Sequence, residues 1–392
     1  MYSLLLVIIY LAFIGLGLPD SLLGSAWPVM QSELGVPVSY AGLITMIIAC
    51  GTIISSLLSD RLTRKFGAGL VTAVSVLFTA VALFGFSLSD SFIWLCLWAI
   101  PFGLGAGAVD AALNNYVALH YSSRHMSWLH CFWGVGASVS PYIMSHSLTG
   151  GYGWNNGYHL VGIVQIILTM FLFISLPLWK KRNTAHTQEG TLSKPLGLRQ
   201  ALKIKGVPFI LITFFSYCAL EATAMLWASS YLVQHREVDA HIAARFASLF
   251  FLGITFGRFV SGFIADKLGD KLLIRIGILT TMAGLLLIAL PLQTDLSALA
   301  GLIVIGLGCA PIYPAIIHST PFNFGKENSQ AIIGIQMASA YVGSTFIPPL
   351  FGYLASYTSM GLFPLYLAIF IVVTLLMSER LNQIIATREA VH

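Results

Sequence analysis

Two ten-residue stretches decide the reading of this chain: Ser56-Leu57-Leu58-Ser59-Asp60-Arg61-Leu62-Thr63-Arg64-Lys65 and Gly262-Phe263-Ile264-Ala265-Asp266-Lys267-Leu268-Gly269-Asp270-Lys271. Each closes an apolar run with an aspartate and a short basic turn. The aspartates are 206 residues apart (266 − 60). A second echo lies elsewhere, where Gly136 leads to Pro141 and Gly343 leads to Pro348, an offset of 207 (343 − 136). Two unrelated echoes at nearly one offset indicate two homologous halves.

Working outward, composition supplies the medium. Apolar residues make up 57% of 392 positions and charged residues 9%, with a mean hydropathy of +0.85. Soluble domains carry roughly a quarter of their residues as charges, so the apolar excess here must face lipid. The net charge of +5 therefore does not read as nucleic-acid binding, because position matters more than sum. Cys50, Cys96, Cys131, Cys218 and Cys309 stand singly in apolar runs, without metal-ligand or disulfide spacing. Met1 runs straight into an apolar stretch, with no basic leader region or cleavage site. It reads as a retained first helix.

A membrane-crossing helix needs about 20 mostly apolar residues. On that criterion spans are expected near 3–30, 39–59, 68–88, 92–118, 126–147, 157–179, 207–233, 242–265, 272–293, 297–318, 328–350 and 360–378. The expected fold is an all-α membrane protein of two pseudo-symmetric six-helix bundles, 1–179 and 207–392, joined by a basic linker at 180–206. With the N-terminus inside, 17 of the 20 Lys and Arg fall on the cytoplasmic side, all but Arg236, Arg245 and Arg258. This positive-inside bias predicts two cytoplasmic termini and insertion in the cytoplasmic (inner) membrane.

The two decapeptides resemble the loop motif of the major facilitator superfamily, G-x-x-x-D-[RK]-x-G-[RX]-[RK]. The second copy matches closely; the first departs from it at Ser56 and Thr63. The resemblance implies twelve helices in two related halves that rock about a midplane site. It also makes Asp60, Arg61, Arg64, Asp266 and Lys267 candidates for a latch between helix ends, with Arg258 expected to pair across the same gate. Three further segments resemble the fucose-permease-like sugar:proton symporters. They are Gly17-Leu18-Pro19-Asp20, Asp110-Ala111-Ala112-Leu113-Asn114-Asn115-Tyr116, and Tyr217 to Glu221 with Trp227 and Tyr231 beyond.

A charged group inside a bilayer is costly enough to need a partner, a proton or a task. Asp110 is the first choice for the proton-coupling acid. Asn114, one turn on along the same face, is placed to bond either that carboxyl or a sugar hydroxyl. Asp20 follows Pro19, which removes a backbone hydrogen bond; it either accepts substrate hydroxyls, shares the proton, or faces water. Glu221 reads as binding, coupling or a structural interhelical bond. Asn115, His130, Trp133, Trp227, Tyr231, Tyr313 and Gln336 complete the candidate substrate-binding set, since pockets combine aromatic faces with a few polar groups. The aromatic residues read equally as core or lipid interface, and His130 as a satisfied core histidine. His318 reads as structural.

The expected activity is proton-coupled uptake of a monosaccharide or polyol, by a monomer whose partners are a sugar-like solute, protons and lipid. Proton-driven drug or metabolite efflux is the alternative. Its G-x-x-x-G-P-x-x-G-G signature is matched only in part by Gly136-Ala137-Ser138-Val139-Ser140-Pro141-Tyr142-Ile143-Met144-Ser145. No P-loop, nucleophile elbow or metal cluster is present, so neither an enzyme, a cofactor nor a metal is expected.

Overall fold

A computed structural model of the chain describes residues 2–37, 39–183, 196–290 and 296–389. Among them every regular element is a helix. In chain order these are α1 (Tyr2–Asp20), α2 (Leu22–Glu33), α3 (Tyr40–Phe66), α4 (Ala68–Ser87), α5 (Phe92–His120), α6 (Ser123–Thr149), α7 (Gly153–Ile174) and α8 (Leu176–Asn183). Then follow α9 (Leu198–Lys203), α10 (Val207–Arg236), α11 (Ala240–Leu268), α12 (Asp270–Ala289), α13 (Leu296–Phe324), α14 (Lys326–Tyr357) and α15 (Phe363–Glu389).

Each expected span falls on helix, but 3–30 is divided between α1 and α2 and 157–179 between α7 and α8, and the end of 272–293 lies outside the described residues; several helices run a turn or more further, α14 to Tyr357 and α15 to Glu389. Among the described residues, eleven stretches are long and apolar enough to cross a membrane, with α1 and α2 forming one of them. The remaining expected span, the fifth (126–147, in α6), has the length but not the composition, because the 27 residues of α6 include His125, His130, His146 and a series of serines. The expected linker lies partly outside the described residues, Lys194 included; its described ends are the short helices α8 and α9.

Contacts gather the chain into two units. One comprises 1–116 and 129–196; the other comprises 117–128 and 197–392. The end of α5 and the start of α6 thus pack with the second set of helices. Within each unit, helices turn one face to their neighbours and leave the other apolar and exposed. On α1, Leu5, Ile9, Ala12 and Phe13 are buried, whereas Leu4, Val7 and Leu11 are exposed. Leu279 and Leu286 of α12 are exposed in the same way. Exposed Leu and Val at helical spacing suit lipid and not water.

Prolines inside the helices explain several buried polar side chains. Pro19 has no N–H, so the carbonyl of Gly15 loses its helical partner. Gln165 of α7, itself buried, donates its side-chain amide to that carbonyl. Likewise Pro141 orphans the carbonyl of Ala137, which accepts the Ser21 hydroxyl at 2.5 Å. Ser21 stands at the break between α1 and α2, so the proline of one helix is capped from the interruption of another. Within a bilayer such carbonyls cannot turn to water, and neighbouring side chains must satisfy them. Gln165→Leu should therefore lower stability by about 1–3 kcal/mol, read as a fall in the thermal unfolding midpoint of the purified protein.

Glycines set the closest approaches. A Cβ at Gly136 of α6 would strike the Ile14 carbonyl of α1, and one at Gly17 of α1 would strike the Trp133 carbonyl of α6. The echo in the second unit has the same cause: Gly343 of α14 lies against the Phe215 carbonyl of α10.

Candidate functional site

In the first unit, Asp110, Asn114 and His130 form one buried chain of hydrogen bonds. Asn114 Nδ2 donates to Asp110 Oδ1 at 2.7 Å and to the Asp110 carbonyl at 3.0 Å. Its orientation is thereby set, because a carbonyl only accepts. Asn114 Oδ1 then faces His130 Nε2 at 3.0 Å, so that nitrogen is the donor. Phe13 meets the His130 ring edge-on, with centroids 5.3 Å apart. Asn115 is buried beside this chain.

Asp20 differs from Asp110 in being exposed. It accepts the Trp133 indole N–H at 2.9 Å. The glycine interlock of α1 with α6 brings those two residues together. No Lys or Arg occurs on α1, α2, α4, α5 or α7, and Arg124 is the only one on α6.

The second unit holds a different arrangement. Glu221 of α10 and Arg258 of α11 form a buried ion pair, Nη2 to Oε1 at 3.2 Å. The guanidinium also lies 5.9 Å from the centre of the Tyr313 ring, a cation–π distance. Tyr217 donates to the Cys309 carbonyl at 2.8 Å, and Tyr313 directs its hydroxyl at Met337 sulfur at 3.3 Å. Gln336 is fully buried and accepts from Thr320 at 3.0 Å.

A third cluster joins helix ends. Asp266 accepts from Ser122 Oγ and the Arg124 N–H, each at 3.1 Å, and pairs with the Arg124 guanidinium at 2.7 Å. Asp270 accepts from Ser123 Oγ at 2.6 Å and faces His318 Nδ1 at 2.7 Å. Trp128 donates to the Phe259 carbonyl at 3.2 Å, and a Cβ at Gly262 would collide with its indole.

The family model of the Major Facilitator Superfamily matches residues 9–246 and 209–381. This chain belongs to that superfamily. It is an all-α membrane transporter and not an enzyme. Its fold is similar to that of FucP in the outward conformation, with a TM-score of 0.80 and 15% identity over 95% of this chain and 97% of that one. It is also similar to the proton:xylose symporter XylE, with a TM-score of 0.77 and 14% identity over 97% and 95%.

Relatives by sequence are varied. The cis,cis-muconate transport protein of Acinetobacter baylyi is 22% identical over 85% of this chain and 83% of its own length. The glucose/mannose transporter GlcP of Bacillus subtilis is 22% identical over 88% and 86%. The match to Bypass of stop codon protein 6 of Saccharomyces cerevisiae is 22% identical and spans 56% of that protein.

Several superfamily expectations are placed differently by the structure. Arg258, expected to pair across the gate, is paired instead with Glu221 of α10 inside the bundle. Asp60 does not reach a neighbouring helix, because Oδ1 pairs at 2.7 Å with Arg64 on its own helix, while Arg61 and Lys267 are exposed. The cause is one extra turn in the first copy. Both loops end at a glycine of positive φ, Gly67 at 81° and Gly269 at 74°, but Gly67 follows its aspartate by seven residues and Gly269 by three. The added four residues bring Arg64 under Asp60 and account for Thr63 at the motif's glycine position.

Trp227 is half-buried and Tyr231 buried, each with its polar atom on a backbone carbonyl. Trp227 donates to the Pro348 carbonyl at 2.8 Å, and Tyr231 is buried, stacked on Phe363, with its hydroxyl 3.3 Å from the Ile288 carbonyl. The residues that hold the aspartates of the second copy, Ser122, Ser123, Arg124 and His318, were not singled out by their spacing. Arg124 was legible only as one more basic residue on the inner side.

Proposed function

We propose that this transporter imports an uncharged, hydroxyl-rich solute, a monosaccharide or related polyol, together with protons, by alternating access. The inner membrane, with both termini in the cytoplasm, is its proposed place. The charge inventory carries the reading. The first unit buries Asp110 in a chain of neutral donors and acceptors and presents Asp20 beside Trp133, with no Lys or Arg on α1 or α5, which carry the two acids. In the second unit the one buried cation of the candidate set is neutralised by Glu221. In the first unit an anionic cargo would meet carboxylates with no Lys or Arg on their helices, which opposes acids such as muconate. Hydroxyl groups suit the acceptors Asp20, Asn114 and Asn115, and an acid buried beside them supplies a reversible proton site. The likeness in fold to proton-coupled sugar symporters supports the same direction.

The inventory also suits an organic cation exchanged for protons, the export reading, and one experiment separates the two. Purified protein in proteoliposomes should show saturable influx of a labelled hexose or pentose that rises on external acidification. Accumulation should reach about tenfold per pH unit for one proton. Uronic acids and dicarboxylates should not compete. Expulsion of hydrophobic cations, with every hexose and pentose ignored, would overturn the proposal.

A further inference from the structure

The turn between α5 and α6 is held residue by residue onto α11, α12 and α13. His318 faces the Tyr121 carbonyl, Asp266 takes Ser122, Asp270 takes Ser123, and Asp266 takes Arg124. The first of these differs in kind. His318 Nδ1 is 2.7 Å from Asp270 Oδ2, and Nε2 is 3.1 Å from the Tyr121 carbonyl oxygen. A carboxylate and a carbonyl only accept hydrogen bonds, whereas a neutral imidazole has one N–H and one lone pair. Neutral His318 would satisfy one partner and set its lone pair against the other. Both contacts require one additional proton, on the ring or equally on Asp270 Oδ2.

We propose that His318 is a proton-operated catch on the α5–α6 turn. When the compartment facing this turn is acidic, the ring bridges Asp270 to Tyr121 and the turn is docked. As pH rises and the proton leaves, one of the two contacts is lost and the turn is released more readily. The groups facing the ring are Asp270 of α12, Asp266 of α11 with its partner Arg124 of α6, and Tyr121 of the turn. His125 lies edge-on to Tyr121, with centroids 5.6 Å apart, and His120 directly precedes Tyr121; these are the other imidazoles of the segment. The remaining three fastenings are a carboxylate–guanidinium pair and two serine hydroxyls, none of which changes protonation near neutrality.

The test is amide hydrogen exchange of residues 117–128 in the full-length protein in detergent, from about pH 5.5 to about pH 8. Each rate is divided by the intrinsic rate at that pH and referenced to a peptide from α14. Protection should fall roughly tenfold or more across the range, the size of one charge-assisted hydrogen bond. His318→Gln offers a single donor that does not titrate and should flatten the profile, whereas a His125→Phe variant should keep the wild-type slope. If His318→Gln does not fold, Asp270→Asn serves instead: its amide donates to neutral Nδ1, so the slope should vanish there too. Constant protection in the wild-type protein, or an unchanged slope in His318→Gln, would overturn the proposal.

Discussion

Asp110→Asn should leave cargo bound but abolish the stimulation of uptake by an inward proton gradient. The geometry makes the substitution clean. The amide oxygen of the new side chain accepts the same Asn114 N–H that Asp110 Oδ1 accepts at 2.7 Å, so the chain to His130 survives. Only the capacity to gain and lose a proton disappears. Coupling requires that cargo affinity and proton affinity depend on each other by the same factor, and a group that cannot titrate gives none. Influx driven by one pH unit, worth about 1.4 kcal/mol or tenfold in accumulation, should collapse to the level seen without a gradient. Facilitated exchange of labelled for unlabelled cargo should continue. Asp20→Asn removes an exposed acid that already has an indole N–H as partner; it should raise the half-saturating cargo concentration while leaving gradient stimulation measurable.

The buried pair Glu221–Arg258 should give the largest stability effects, and unequal ones. Removing one partner of a buried pair costs about 3–5 kcal/mol because the other is left uncompensated. A stranded carboxyl can relieve itself by taking up a proton; a guanidinium cannot release one. Glu221→Leu should therefore lower the unfolding midpoint more than Arg258→Leu. The Arg258→Leu defect should also shrink at acid pH, while that of Glu221→Leu should not. The double variant Glu221→Leu/Arg258→Leu should recover most of the loss, since apolar replacement of a whole pair is often neutral. Equal losses in the two single variants, with no recovery in the double, would contradict the pairing.

What the sequence made legible depended on signals that recur or run contiguously. The paired aspartates, the apolar runs and the inner-side basic residues are of that kind, and the helices follow them closely. Asn114, one turn from Asp110, was also readable, because helical spacing alone brings the two side chains together. Contacts made across the chain were not. Arg124 and Asp266 are 142 positions apart, and nothing local in either segment names the other. Arg258 was readable as a cation in need of a partner, but its partner Glu221 comes from a neighbouring helix and so could not be named. Gln165 carried no motif, although Pro19 announces an orphaned carbonyl that some donor must cover. For Trp227 and Tyr231 the sequence left pocket and core readings open, because the partners that the rings meet, Phe351 and Phe363, come from distant segments.

The most direct measurement is of protons moved by cargo alone. Proteoliposomes with the same pH on both sides and a trapped pH-sensitive dye should acidify inside when a transported hexose or pentose is added outside. The signal should be absent with Asp110→Asn. Sugar entry without any accompanying proton movement, or proton movement evoked only by organic ions and by no neutral sugar, would contradict the account.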